Sequence, residues 1–466
     1  MIIIKNSTEI VIKTITNLVN NPISKIIIKV ICNDCKKCKN RLDLILRKYA
    51  GKNVKLCFKC NFLFIISSLI ITSAAKAFGV SKNEMKKHIS DQVFRKGLVN
   101  ILKGLSYYGI TRPQITYAPF LVVWNWTHAC NLKCKHCYIK ADKKLENELT
   151  TGEAKKLIDE LAEFGVAAIS FAGGEPLIRP DFFEVAAYAK QKGFHVSVAT
   201  NGTLITQKIA RQLKRIGVDY VEISLDGAEQ KTHDNFRGVP GMFKNSVEGI
   251  RRCVRSGLYT GIATTVTKAN LDEIPKIYEL GKKLGVKILI LFNFVPSGRG
   301  KDIINTDITA EQRENLLNFV YDKIASNSKP QIMCTAPQLG RICMQNGKAI
   351  PTHFFTPDVT GKYTELCEFI GGCGAGRLYC SIEPNGDVQP CVFMPIKIGN
   401  IRETSLKEIW HNSKVLKKIR DRSQLKGNCN TCKYKFICGG CRSRAYAYFD
   451  DILAPDPGCI YNKVEK

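Results

Sequence analysis

Three cysteines within eight residues constrain what this chain can fold into more than any other feature. Cys130, Cys134 and Cys137 sit in the run Cys130-Asn131-Leu132-Lys133-Cys134-Lys135-His136-Cys137, just after the apolar segment Phe120–Trp126. Thiolates this close on one chain turn can hold three corners of a cubic four-iron, four-sulfur cluster. The missing fourth ligand leaves one iron open to chemistry. The competing reading is a structural zinc, or a cluster completed by a remote cysteine.

The chain has 20 cysteines among 466 residues, and most fall in tight groups. No basic stretch leading into an apolar core and a small-residue cleavage site is seen, so a secreted disulfide scaffold is not expected. Cys32, Cys35, Cys57 and Cys60 form two Cys-x-x-Cys pairs, a spacing suited to tetrahedral zinc or mononuclear iron. Cys38 makes a fifth cysteine there and leaves a redox cluster open as the alternative.

Charge is uneven. The chain carries +29 overall, and residues 1–120 hold 21 basic and 5 acidic side chains. Such a field attracts nucleic acid, an anionic membrane surface or an acidic substrate. Residues 61–81 are mostly apolar, but the uninterrupted part is about 14 residues, short of the roughly 20 a membrane span requires. A buried or interface-lying helix is expected, with Lys82, Lys86 and Lys87 suited to an anionic surface.

From about 120 to 300 strand-like and helix-like segments alternate. Leu121–Trp126, Val166–Phe171, His195–Ala199, Tyr220–Leu225, Thr260–Val266 and Lys287–Phe292 read as strands, each but the last followed by a helical pattern. Repeated βα units imply a parallel sheet with helices outside it, and six units suit a partial barrel. The chain is thus expected to be α/β. It divides into an N-terminal α+β metal-binding extension (1–117), a partial (β/α)6 barrel (118–329) and a cysteine-rich domain (330–466), with 329–372 irregular. Cys130, Cys134 and Cys137 would then lie after the first strand, at the edge where such sheets keep their active sites.

Polar motifs end the next strands: Gly173-Gly174-Glu175-Pro176, Thr200-Asn201-Gly202 and Ser224-Leu225-Asp226-Gly227. With the cysteine triplet and Tyr138 beside it, these motifs over residues 118–300 resemble the radical S-adenosylmethionine (SAM) enzymes. The resemblance implies that Cys130, Cys134 and Cys137 hold the catalytic cluster and that the backbone of Gly173, Gly174, Glu175 and Pro176 receives the SAM amino group. It places Tyr138, Thr200, Asn201, Ser224 and Asp226 around the cofactor. Arg237 is a candidate for the SAM carboxylate, with Lys268 or Asn270 as alternatives. The Pro296–Gly300 segment would face SAM or substrate.

The C-terminal cysteines resemble a SPASM domain, which carries two auxiliary four-iron, four-sulfur clusters. Cys373, Gly386 and Cys391 meet its pattern, and Cys429, Cys432, Cys438, Cys441 and Cys459 follow, with one residue fewer than usual between Cys438 and Cys441. The resemblance implies a nearer cluster on Cys367, Cys373, Cys391 and Cys441, with Cys380 competing with Cys367. A distal cluster would use Cys429, Cys432, Cys438 and Cys459. Cofactors expected are therefore SAM, three four-iron clusters, and one zinc or iron at the N-terminal cysteines.

The family generates a 5′-deoxyadenosyl radical that takes hydrogen from an unactivated carbon. An apolar helix beside a basic surface suits a long apolar substrate with an anionic headgroup, so carbon–carbon bond formation in isoprenoid membrane lipid, as in archaeal lipid-bridging enzymes, is the leading expectation. Peptide modification and a tetrapyrrole or metallocofactor step are the alternatives, with RNA modification further off. The partners expected are a membrane lipid and a low-potential donor such as ferredoxin or flavodoxin, with no nucleic acid. The location expected is cytoplasmic, with peripheral membrane contact.

Overall fold

The computed structural model describes residues 22–77, 80–347 and 371–462. An N-terminal extension contributes α1 (Pro22–Cys32), α2 (Arg41–Tyr49), α3 (Phe58–Ala77), α4 (Lys82–Ser90) and α5 (Gln92–Tyr108). Its described residues contain no strand. The β-branched run Ile26–Val30 lies within α1, because its apolar side chains find a partner helix rather than a sheet edge. Ile31, Leu42, Ile45, Leu46, Tyr49 and Ile89 form the small core of this part.

The barrel follows as β1 (Leu121–Thr127), α6 (Thr151–Phe164), β2 (Ala168–Gly173), α7 (Phe182–Gln191), β3 (His195–Thr200), α8 (Gln207–Arg215) and β4 (Tyr220–Ser224). It continues through α9 (Gln230–Arg237), α10 (Met242–Arg255), β5 (Thr260–Val266), α11 (Ile274–Leu284) and β6 (Ile288–Asn293). β1 to β6 are parallel and hydrogen-bonded in sequence order. Local chemistry sets the boundaries: Thr150 and Glu153 form a capping box at the start of α6, and Gly165 ends it with φ of 98°. Outward-facing Trp124, Trp126 and Phe171 are fully buried and meet at ring distances of 5.1 to 5.7 Å. Packed aromatic pairs of this kind add about 0.5–1.5 kcal/mol each beyond their buried area.

Beyond residue 329 the chain continues the same sheet. After α12 (Ala310–Ala325), β7 (Gln331–Cys334) pairs parallel with β6, and α13 (Gln338–Gln345) follows, in a stretch expected to be irregular. On the opposite edge β8 (Tyr379–Ile382) pairs parallel with β1, and β9 (Asp387–Gln389) and β10 (Gly399–Asn400) complete a ten-stranded sheet. The rest is α14 (Leu406–Asn412), α15 (Lys414–Arg420), α16 (Gly427–Thr431) and α17 (Arg442–Phe449). The cysteine-rich part is thereby docked onto the barrel through backbone hydrogen bonds.

The extension meets the barrel at its other end. In α5, Asn100 Nδ2 donates to the Gly165 carbonyl, and Gln92 and Lys96 donate to that of Gly193. Both glycines precede strands, so the extension covers the N-terminal edge of the sheet.

Candidate active site

The cysteine loop is held by backbone and arginine contacts from several elements. Cys130 N–H donates to the Asp142 carbonyl, and Lys133 and Lys135 N–H donate to the carbonyls of Arg237 and Phe236 in α9. Arg299 N–H donates to the Cys137 carbonyl at 2.9 Å, and its side chain donates to the carbonyls of Cys134 and Ala141 at 2.8 and 2.9 Å. A β-carbon on Gly298 would lie 2.3 Å from the Cys137 carbonyl oxygen, so this close crossing requires glycine.

Each sulfur faces an N–H donor. Leu132 N–H points at Cys130 Sγ (3.5 Å), the Arg237 guanidinium at Cys134 Sγ (3.6 Å) and Ala141 N–H at Cys137 Sγ (3.3 Å). Burial pushes the Cys130 thiol up to about 12 and also raises Cys134. Thiols so desolvated yet ringed by donors suit thiolates neutralised by a bound metal. The residues present therefore fit an iron–sulfur cluster.

Glu175 is fully buried. Its carboxylate accepts from the Thr200 hydroxyl and Asn201 N–H, both at 2.8 Å, and from Leu177 N–H at 3.2 Å. Burial outweighs these donors and pushes it up to about 7. Pro176 begins the short turn after it. Gly173 takes φ of 111°, and a β-carbon on Gly174 would lie 2.1 Å from the Ala129 carbonyl oxygen, so this segment is pressed against the cysteine loop. Asn201 Nδ2 donates to Asn131 Oδ1 within that loop. Gly173, Gly174, Glu175, Thr200 and Asn201 thus form one connected unit beside the cysteines. Ser224, half-buried, ends the next strand.

Asp226 and Arg237 form a buried ion pair at 2.5 Å, while Asp226 Oδ1 accepts from Thr265 N–H. Helix α9, which periodicity alone did not reveal, swings Arg237 back against Cys134. Its guanidinium is committed to a carboxylate and a thiol, which argues against Arg237 as a free receptor for the SAM carboxylate. The alternatives are also engaged: Asn270 Nδ2 bridges the Asp226 and Thr265 carbonyls, and Lys268 donates to the Asn305 carbonyl.

Tyr138 is joined to residues that the motifs had not pointed to. Its hydroxyl donates to Asn125 Oδ1 (2.8 Å), Asn125 Nδ2 donates to Glu383 (2.7 Å), and His128 lies 3.6 Å from the same carboxylate. Glu148 accepts from the Thr127 hydroxyl and from His128 and Leu145 N–H. The one sequence signal was Asn125, an amide between two tryptophans in an otherwise apolar strand. Glu148 and Glu383 had none.

In the C-terminal part, Cys429, Cys432, Cys438 and Cys459 line one cavity with Arg341, Gly439 and Tyr461. Cys441 feels the charges of Cys373 and Cys391, which add to burial in holding its thiol well above its ordinary value. The Tyr379 hydroxyl donates to Cys391 Sγ at 2.8 Å. Cys380, one position on in β8, is buried in the barrel core and turned away from that sulfur. Cys367 lies outside the described residues. Buried Arg377 and Arg422 have no carboxylate within 4 Å among the described residues; both donate to the Cys373 carbonyl. Such cations suit negatively charged clusters.

At the N-terminus the sulfurs of Cys35, Cys38, Cys57 and Cys60 lie within 4.8 Å of one another. This corrects the set containing Cys32. That residue ends α1 and packs into the small apolar core, where burial raises its thiol to about 11.

A parallel partial barrel with a three-cysteine loop at its C-terminal edge and a cysteine-rich partner defines a class of iron–sulfur enzymes. Residues 124–281 match the Radical SAM superfamily, and residues 373–433 match SPASM, an iron–sulfur cluster-binding domain. The chain belongs to the radical SAM superfamily, as an enzyme of its SPASM-bearing kind. It is 41% identical to the AdoMet-dependent heme synthase of Methanosarcina barkeri over 360 residues, 76% of this chain and 99% of that protein. It is 33% identical to the Fe-coproporphyrin III synthase of the same organism over 354 residues, 74% and 88% of the two chains. Its fold is that of Streptococcus suis SuiB bound to precursor peptide SuiA, at TM-score 0.65 and 16% identity over 89% of this chain and 91% of that one.

The two relatives named as heme synthase and Fe-coproporphyrin III synthase overturn the membrane-lipid reading of both reaction and partner. The structure supplies the physical reason. The apolar helix α3 packs on α2 and α4 of the extension, which meets the barrel at the N-terminal edge of the sheet, whereas the cysteine loop follows β1 at the C-terminal edge. Among the described residues no helix is long and apolar enough to cross a membrane.

Proposed function

We propose that this enzyme catalyses a step of heme synthesis, in which a propionate side chain of an iron tetrapyrrole loses a hydrogen atom to the SAM-derived radical, its carboxylate as carbon dioxide and one electron to an auxiliary cluster, leaving a vinyl group. The observation that carries the reading is the 41% identity extending over 99% of a heme synthase. Identity maintained over both barrel and cysteine-rich part favours a shared substrate class over a shared fold alone.

Cys130, Cys134 and Cys137 would hold the iron–sulfur cluster, and SAM bound there would supply the radical chemistry. The chain's own residues position and shield it. Glu175, anchored by Thr200 and Asn201, offers a buried carboxylate to a cationic amino group. Arg237 and Asp226 fix Cys134 from behind, and Arg299 clamps the loop backbone. The network Tyr138–Asn125–Glu383 ties the loop to the residue that follows β8, and so to the cysteine-rich part. Exposed Lys133, Lys135, Lys140, Lys143 and Lys144 rim the loop and suit a substrate bearing carboxylates. We assign the nearer auxiliary cluster to Cys373, Cys391 and Cys441 with Cys367, and the distal one to Cys429, Cys432, Cys438 and Cys459. Arg377 and Arg422 balance their charge.

The test is anaerobic incubation of reconstituted enzyme with SAM, a chemical reductant and Fe-coproporphyrin III, followed by chromatography. Heme formed in step with 5′-deoxyadenosine supports the reading. SAM cleavage that ignores tetrapyrroles and responds only to an added peptide overturns it.

A further inference from the structure

The heme synthase match leaves about a quarter of this chain uncovered, and the extension has its own cysteine group. All four sulfurs of Cys35, Cys38, Cys57 and Cys60 lie within 4.8 Å of one another, and those of Cys35 and Cys57 are 3.8 Å apart. A single tetrahedral ion with metal–sulfur bonds of ~2.3 Å separates its sulfurs by about 3.8 Å. A cubic cluster cannot gather its thiolates so closely, because each binds an iron at a different corner. The geometry therefore selects one ion.

The local chain is built for such an ion. Cys35 and Cys38 lie in the turn between α1 and α2, where Lys39 N–H closes back on the Cys35 carbonyl at 2.7 Å and Lys39 and Asn40 take positive φ. Cys57 and Cys60 span the start of α3, and Cys57 N–H donates to Cys38 Sγ at 3.2 Å. Four thiolates around a divalent ion keep a net negative charge. The Arg41 guanidinium sits beside Cys35 and Cys60, and exposed Lys36, Lys37 and Lys59 surround the turn.

Position decides between a structural and a redox ion. The extension touches the barrel at Gly165, Gly193 and the segment Ile115–Ala118, all before strands begin. The catalytic cysteines lie at the other ends of those strands, and the six residues of β2 alone span roughly 20 Å. Among the described residues no other cysteine group lies at this end to exchange electrons with. Meanwhile, among the described residues, the apolar core of the extension has seven buried members, Cys32 included, a small anchor for five helices that a metal ion would reinforce.

We propose that Cys35, Cys38, Cys57 and Cys60 bind a single zinc ion that staples α1, α2 and α3 together beneath the barrel, apart from the chemistry. The full chain, purified anaerobically, is analysed for zinc and iron by mass spectrometry. Wild type and Cys32→Ala should carry one zinc ion per chain; Cys38→Ala should lose it while keeping the iron of the other clusters. Replacement of zinc by cobalt should give the visible bands of a tetrahedral tetrathiolate. If Cys38→Ala fails to fold, titration of wild type with a mercurial reagent should release stoichiometric zinc, and the extension should then become protease-sensitive before the barrel. Extra iron in place of zinc, or zinc lost from Cys32→Ala and kept by Cys38→Ala, overturns the proposal.

Discussion

The Asp226 carboxylate holds the Arg237 guanidinium at 2.5 Å, and that guanidinium also reaches Cys134 Sγ at 3.6 Å. The pair is buried, so neither charge can turn to water. Burial alone would raise the Asp226 carboxyl and lower the Arg237 guanidinium, but the carboxylate and thiol raise Arg237 overall. Removing one partner leaves the other charge stranded. Arg237→Ala is expected to destabilise the protein by ~3–5 kcal/mol. It should also weaken retention of the cluster on Cys134, read as lost visible absorbance after reconstitution. Full cluster content in a stable Arg237→Ala protein would contradict this.

Glu175 gives a pH dependence with a defined sign. Its folded value of about 7 lies above the ordinary 4.5, so between those values the native state keeps a proton that the unfolded chain has released. Its contribution is fully present below about 4.5 and is lost as pH rises through about 7. Over that window the loss is about 3 kcal/mol. Urea unfolding at several pH values should show this slope in wild type and a flatter one in Glu175→Gln.

Binding of a cationic amino group beside Glu175 would pull its pKa back down. SAM binding near neutral pH should therefore release a proton, detected by calorimetry in buffers of different ionisation enthalpy. Glu175→Gln should bind SAM more weakly and release none, since an amide cannot ionise and must turn its N–H2 toward a donor.

Gly174→Ala should be more damaging than its size suggests. The new methyl would lie 2.1 Å from the Ala129 carbonyl oxygen, a backbone atom that cannot swing aside. A cost of about 3 kcal/mol or more is expected, with displacement of the Cys130 loop. Iron content and thermal unfolding together separate loss of cluster from loss of fold.

Cysteine replacement distinguishes ligands from core thiols. Cys441→Ala should lose about four irons per chain if it holds an auxiliary cluster. Cys380→Ala should keep all of them, because Cys380 packs among barrel core residues. Iron loss from Cys380→Ala would instead make it a ligand.

Much of the barrel was legible because its signals are local. The strand at Leu121–Thr127 and the helix at Phe182–Gln191 follow from apolar period and flanking turn residues, and both formed within a residue of expectation. Cys130, Cys134 and Cys137 lie so close in sequence that any compact turn must bring them together.

Other features depended on distant partners. Nothing near Glu383 signals that it will meet Asn125 from a strand laid beside β1. Helix α9 is strongly polar, and its buried residues His233, Phe236 and Arg237 leave no apolar period that would mark it in the sequence. Residues 331–334 became a strand because β6 offered an unpaired edge, a tertiary circumstance that overrides weak local preference.

The N-terminal cysteines mark the division most clearly. Spacing alone determined that two Cys-x-x-Cys pairs would suit a metal, but Cys32, Cys35 and Cys38 repeat that spacing and are equivalent by sequence. Folding decided between them: Cys32 falls on the buried face of α1, whereas Cys38 falls in the turn beside Cys57. Short-range geometry is written into neighbouring residues, while the choice among equivalent donors waits for burial and for the approach of chain from elsewhere.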